Sequence, residues 1–170
     1  YENTFSVNKS EVVNTSNNSE ILFRGIKTSA GNQTGNLKSL MGINTFILDE
    51  AEELVDESIF DTIDLSIREK TTQNRVVLIL NPTTKEHWIY KRFFEAKGVE
   101  AGFNGVKDNI CYIHTNYLDN KDNLSESFLA RVEDIKHNNF KKYNHSILGS
   151  WLAKAEGVVF ENWSLGEFNP

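Results

Sequence analysis

The sequence predicts an α/β fold: a mostly parallel sheet flanked by helices, with an antiparallel hairpin at its edge. Three observations predict it. Thr45-Phe46-Ile47-Leu48 and Arg75-Val76-Val77-Leu78-Ile79-Leu80 are short runs dominated by β-branched and apolar residues, the pattern of strands buried on both faces. Between them Ile59, Ile63 and Ile67 recur at every fourth residue with Phe60 alongside, which makes one stripe of a helix apolar. Strand, helix, strand is the unit from which parallel sheets are built.

The elements follow in order. Phe5 to Val13 and Glu20 to Ile26 read as two strands around the polar stretch Asn14 to Ser19, which supplies the edge hairpin. A polar loop follows, from Lys27 to Ser39. The strand Thr45 to Leu48 runs straight into Asp49-Glu50, and a helix is expected from Glu52 to Lys70. The second strand must stop at Asn81-Pro82, because proline has no N–H for the ladder. Thr84 is placed to cap a helix from Lys85 to Phe94. A glycine-rich loop, Gly98 to Asn109, leads to a strand from Ile110 to Thr115. Asp119 to Asn123 reads as a loop. Ser125 caps a helix through about Asn139, with Phe128, Leu129, Val132 and Ile135 on its apolar face. From Tyr143 to Pro170 aromatic and polar residues alternate, as in a packing extension or an interdomain hinge.

Composition narrows the function. The chain has 170 residues, 39% hydrophobic and 25% charged, which suits one globular domain or a large part of one. No apolar run approaches the roughly 20 residues that span a bilayer, and no signal peptide is present, so no membrane role is expected. The formal net charge is −6, whereas a protein that binds DNA over its whole surface is usually basic. Positive charge is local: Lys85, Lys91, Arg92 and Lys97 in one stretch, Lys136, Lys141 and Lys142 in another, both read as solvated helix faces. The single Cys111 lies in an apolar run and reads as a buried core thiol. The four histidines, His87, His114, His137 and His145, do not pair at zinc-ligand spacing.

Chemistry concentrates at the two strand tips. Ligands of open α/β sheets bind beyond the carboxyl ends of the strands. Asp49 and Glu50 stand at such an end, in the Walker B arrangement of an apolar strand followed by two acids. The first acid would hold a Mg²⁺ through its nucleotide, and the second would orient and deprotonate the attacking water. Asn81 stands at the tip of the second strand, where an amide can bond a γ-phosphate or the lytic water. The two strands are expected to be parallel, with both tips on one sheet edge.

Gly42 to Leu54, with its core Thr45-Phe46-Ile47-Leu48-Asp49-Glu50-Ala51, resembles the Walker B block of phage terminase large subunits. Ile67-Arg68-Glu69, then Leu80-Asn81-Pro82-Thr83 with His87-Trp88, resembles the block that follows in that family. Ile113 to Asn120 resembles the next, and Leu148-Gly149-Ser150-Trp151 with Ala155 to Phe160 resembles the end of the ATPase domain. The blocks run in the family's order from about Phe23 to Phe160, and the subgroup they look most like is the one named after the defective prophage PBSX of bacilli.

The resemblance implies a P-loop NTPase fold of the ASCE type and an ATP-hydrolysing motor that packages viral DNA into procapsids. It implies ATP and Mg²⁺ in the full-length protein, with Glu50 catalytic, Asp49 at the metal and Asn81 as the γ-phosphate sensor. It implies double-stranded DNA, a portal protein and a small terminase subunit as partners, a homo-oligomeric ring, and work in the cytoplasm of a bacterial host. Arg24 and Arg68 are candidates for an arginine that reaches a neighbouring subunit's site. No G-x-x-x-x-G-K-[ST] motif is present. The stretch Gly31 to Ser39 has its glycines too close and its Lys38 out of place. The chain therefore reads as the part of the ATPase domain after the P-loop, residues 1–142, with 143–170 leading toward a missing nuclease domain. By itself it is expected to be inactive. Two other readings share the frame: a non-catalytic α/β binding or scaffold domain, and a helicase-type ATPase unrelated to packaging.

Overall fold

The structure is a computed structural model that describes residues 4–25 and 42–153. The expected loop from Lys27 to Ser39 and the blocks beyond Ala153 lie outside the described residues.

The first sheet is a three-stranded antiparallel meander, β1 Phe5–Val7, β2 Glu11–Asn14 and β3 Glu20–Leu22. The sequence reading had one strand from Phe5 to Val13. Asn8 divides it: its side-chain oxygen accepts from the backbone N–H of Ser10 at 2.9 Å and of Glu11 at 3.0 Å, an Asx turn that reverses the chain. Among the described residues this sheet is not hydrogen-bonded to the strands that follow, so the expected edge hairpin is corrected to a separate sheet.

β4 Thr45–Leu48 and β5 Arg75–Leu78 pair in parallel, Leu48 beside Leu78. The ladder continues past both ends: Ile79 N–H donates to Leu48 O and Ala51 N–H donates to Ile79 O, each at 2.9 Å. Among the described residues the parallel sheet has these two strands alone, so the expected mostly parallel sheet is corrected to three small sheets, two of them antiparallel. Its faces differ. Leu48, Val76, Leu78 and Leu80 pack on the core, while Ile47, Val77 and Ile79 of the other face are exposed.

The connection between the strands is shorter than the apolar stripe suggests. A 3₁₀ turn, Ala51–Glu53, is followed by α1 Glu57–Asp64. Asp56 caps α1 by accepting from Ser58 N–H at 2.9 Å, which fixes a later helix start than the sequence reading did. The hydrogen bonds to Ser58 hold the Asp56 carboxyl below its usual range. Its contribution to the helix is therefore present above the ordinary carboxylate range and is lost as the pH falls through the lowered value. Ile63 is buried with Phe60, but Leu65 ends α1 before Ile67.

Thr84 does not cap a helix. It forms a parallel bridge with Leu152, with Lys85 N–H donating to Leu152 O at 2.9 Å and Leu152 N–H to Thr83 O at 2.8 Å. The cap is His87 Nδ1, which accepts from Ile89 N–H at 3.2 Å, and the helix runs on as a π-helical segment, Tyr90–Glu95. The bridge brings Trp151 against Tyr90 and Phe94, with ring centroids 5.3 and 5.6 Å away. The core is thus Ala51, Leu54, Phe60, Trp88, Ile89 and Trp151.

β6 Gly105–Lys107 and β7 Ile110–Tyr112 form a hairpin where a loop and a longer strand were expected. Asp108 makes the turn possible at φ 55°. The period of two buries Tyr112 and leaves its neighbour Cys111 exposed, so the expected core thiol is instead on the surface. Residues Asp119 to Asn123, read as a loop, belong to a 3₁₀ segment, Tyr117–Asn123, that opens on a reciprocal capping box between Asn116 and Asp119. α2 Glu126–Asn138 starts at Ser125 as expected, with Val132 buried.

Candidate active site at the strand tips

The parallel register places the ends of β4 and β5 side by side, and the acids and the amide leave the sheet at the same edge. Asp49 and Glu50 are exposed, as is Asn81. Asp49 Oδ1 accepts from the backbone N–H of Glu50 at 3.1 Å, which fixes the turn out of the strand. Glu50 then takes a left-handed conformation, φ 51° and ψ 46°. A non-glycine residue there is uncommon and costs of the order of 1 kcal/mol, a strain often kept at functional sites. The Glu50 carboxylate has no protein partner among the described residues. Its backbone carbonyl accepts from Glu53 N–H at 2.9 Å and opens the 3₁₀ turn.

The turn brings a residue that sequence reasoning missed. Asn81 Nδ2 donates to Glu52 Oε1 at 3.1 Å, across 29 positions of sequence. Glu52 Oε2 is out of contact with water and has no hydrogen-bond partner. The backbone carbonyl of Glu52 is bonded to His87 Nε2 at 3.1 Å. Since His87 Nδ1 accepts from Ile89 N–H, the hydrogen sits on Nε2 and donates to Glu52. Below it, Trp88 Nε1–H donates to Leu54 O at 2.5 Å. The tips thus rest on the Trp88 core. No local pattern in the sequence marks Glu52, because its link to Asn81 is a tertiary contact.

Four carboxylates, Asp49, Glu50, Glu52 and Glu53, fall within five positions, and none forms an ion pair among the described residues. No group of three or more metal-ligating side chains is assembled among the described residues. That donor set does not cage a cation alone. It fits Mg²⁺, which takes one or two carboxylates and completes its shell with phosphate oxygens and water.

The candidate arginines lie elsewhere. Arg24 is held on the antiparallel sheet, donating to Phe23 O at 2.8 Å and Ser10 O at 3.3 Å. Arg68 is exposed in the turn after α1. Three of the seven cations in the two basic stretches have acidic partners. Arg92 pairs with Glu57 at 3.0 Å and Asp61 at 2.6 Å, Lys97 with Asp108 at 3.2 Å, and Lys136 with Glu133 at 3.5 Å. The hydrogen bond to Asp61 above all raises the Arg92 pKa.

Acids and an amide at adjacent parallel strand tips stand where the ligands of open α/β sheets bind. A family profile described as phage terminase large subunit matches residues 1–150, and the chain belongs to that family. No curated protein matches it. Among solved structures it is similar to the large terminase of a thermophilic bacteriophage, with a TM-score of 0.61 at 15% identity. That match covers 87% of this chain and 33% of the other, so the chain spans about a third of the length of the terminase it resembles. No helix among the described residues is long and apolar enough to cross a membrane.

Proposed function

We propose that this chain supplies the water-activating half of a P-loop ATPase of the ASCE type, within a motor that packages double-stranded DNA into procapsids. The observation that carries the reading is the parallel register of β4 and β5, which puts Asp49-Glu50 and Asn81 on one edge. Asp49 would hold Mg²⁺, which supplies charge neutralisation for the phosphates of bound ATP. Glu50 accepts the proton of the attacking water. The water oxygen bonds to the terminal phosphorus, the bond from that phosphorus to the bridging oxygen breaks, and ADP leaves. Asn81 distinguishes the nucleotide states, because an amide can bond one state and release the other.

The finer reading extends to the rest of the motor. A P-loop segment would complete the phosphate cradle and cover the exposed face of Ile47, Val77 and Ile79, since parallel sheets are normally covered on both sides. Residues 1–142 would belong to the ATPase domain and 143–170 would lead toward a nuclease domain. Arg24 or Arg68 would reach a neighbouring subunit in a homo-oligomeric ring. Portal protein and small terminase subunit are the proposed partners, the PBSX-like group the proposed subgroup, and the bacterial cytoplasm the proposed place of work.

Two experiments test this. Asn81→Ala in the full-length protein is expected to lower DNA packaging more than ATP hydrolysis, both measured on one preparation. Equal losses in both, or none in either, would count against the coupling role. The 170-residue chain alone is expected to show no ATPase activity and only weak nucleotide binding, for want of a phosphate cradle. Calorimetry that finds ATP bound at micromolar Kd or tighter, about −8 kcal/mol, would place the nucleotide site elsewhere.

A further inference from the structure

We infer that Glu52 is a positioning residue for Asn81: its carboxylate fixes the amide so that the carbonyl oxygen, not the amino group, faces the reaction. The inference rests on the ATPase reading above and deepens it.

A side-chain amide has two unlike ends, and an ionised carboxylate only accepts hydrogen bonds. With Glu52 Oε1 at 3.1 Å, the end of Asn81 turned toward it must be the amino group. The Asn81 carbonyl oxygen is left without a protein partner among the described residues, at the exposed tip of β5. A donor amide there would serve a phosphate oxygen. An acceptor serves the attacking water, which has two hydrogens to place. Glu50 accepts one and Asn81 Oδ1 the other, and together they aim the water's lone pair at the terminal phosphorus.

Glu52 is well held for this task. It stands inside the 3₁₀ turn between the buried Ala51 and the turn that leads to the buried Leu54. Its carbonyl is tied to His87 at 3.1 Å. Its Oε2 is excluded from water with no partner, which is unfavourable for a charged group. The carboxylate also adds to the negative charge of Asp49, Glu50 and Glu53. A glutamine would keep the shape and the hydrogen bond without the negative charge. What the carboxylate adds is that it accepts only one orientation of the amide.

The test exchanges the two groups in the full-length protein. Asn81→Asp alone sets two carboxylates against each other and is expected to lower kcat at least about tenfold. Adding Glu52→Gln returns a donor to the pair and leaves an acceptor oxygen at position 81. The double variant is expected to recover about tenfold in kcat over Asn81→Asp, with KM for ATP within about twofold throughout. Glu52→Ala, which frees the amide, is expected to lose about tenfold in kcat at unchanged KM. A group that only supported the fold would not produce recovery on exchange. No recovery, or wild-type kcat in Glu52→Ala, would overturn the inference. Thermal unfolding of each preparation checks folding, and if Asn81→Asp does not fold, the kcat of Glu52→Ala decides. Glu50→Gln is measured beside them. If it still turns over ATP, the ATPase reading fails; if it is inactive and the exchange does not recover, the assignment of Glu52 alone fails.

Discussion

Replacing Glu50 by glutamine in the full-length protein is expected to abolish ATP turnover while leaving nucleotide binding nearly intact. The amide keeps the size of the carboxylate but cannot take the proton of the attacking water. A positioned general base contributes roughly 10²–10⁴-fold, so the loss should fall in that range. Among the described residues the Glu50 carboxylate has no protein partner to lose, so the variant should fold normally. Asp49→Ala should differ in kind. It removes a contact to Mg²⁺ and weakens binding of the Mg²⁺-nucleotide itself. Steady-state ATPase assays with nucleotide binding measured in parallel separate the two. Normal turnover in Glu50→Gln would refute its role.

Trp88→Ala is expected to cost about 3–5 kcal/mol of stability, enough to unfold the domain or leave it marginal. Trp88 is 7% exposed and packs on Phe60 with ring centroids 4.9 Å apart. Its indole N–H also satisfies the carbonyl of Leu54, which closes the 3₁₀ turn behind Glu50. Removing the ring opens a cavity and leaves that buried carbonyl unpaired. Trp88→Phe fills most of the volume but not the hydrogen bond, and should cost about 1–2 kcal/mol. Denaturant unfolding measures both. A loss below about 1 kcal/mol in Trp88→Ala would mean that the turn is not anchored by this core.

How far the sequence could be read follows from which forces act locally. The two parallel strands were legible because a run such as Thr45 to Leu48 states its own burial. The paired acids mark the tip of the first, whereas Pro82 sets the end of the second a little late, since β5 closes at Leu78. The cap of α2 was legible for the same reason, since Ser125 acts within three residues. What was missed depends on tertiary contacts. Thr84 looks like a cap until Leu152 arrives from far along the chain and claims its backbone. Glu52 to Lys70 looks like one helix because periodicity cannot see that Asp56 starts a new one. Cys111 has apolar neighbours on both sides, and only the hairpin register decides that Tyr112 faces in and the thiol out. At the candidate site, Asp49, Glu50 and Asn81 were legible from their residue types and their places after the strands. Glu52 does not: it becomes part of the site only through a hydrogen bond that spans 29 positions.

The same distinction shows where charge was read well. Lys85 to Lys97 and Lys136 to Lys142 are basic in sequence, yet Arg92, Lys97 and Lys136 have acidic partners in the fold. Arg92 also lies over the rings of Phe60 and Phe93, at 5.0 and 5.6 Å, so it serves packing as well as charge balance. These contacts explain why local positive charge need not mean a DNA-binding face.

The most direct test of the central claim is a structure of the full-length protein with Mg²⁺ and a non-hydrolysable ATP analogue. The account predicts the terminal phosphate at the edge where β4 and β5 end. Asp49 should stand at the metal, directly or through water, with Glu50 and Asn81 within hydrogen-bond reach of one water in line with that phosphate. A nucleotide bound away from this edge, with Asp49, Glu50 and Asn81 all facing bulk solvent, would contradict it.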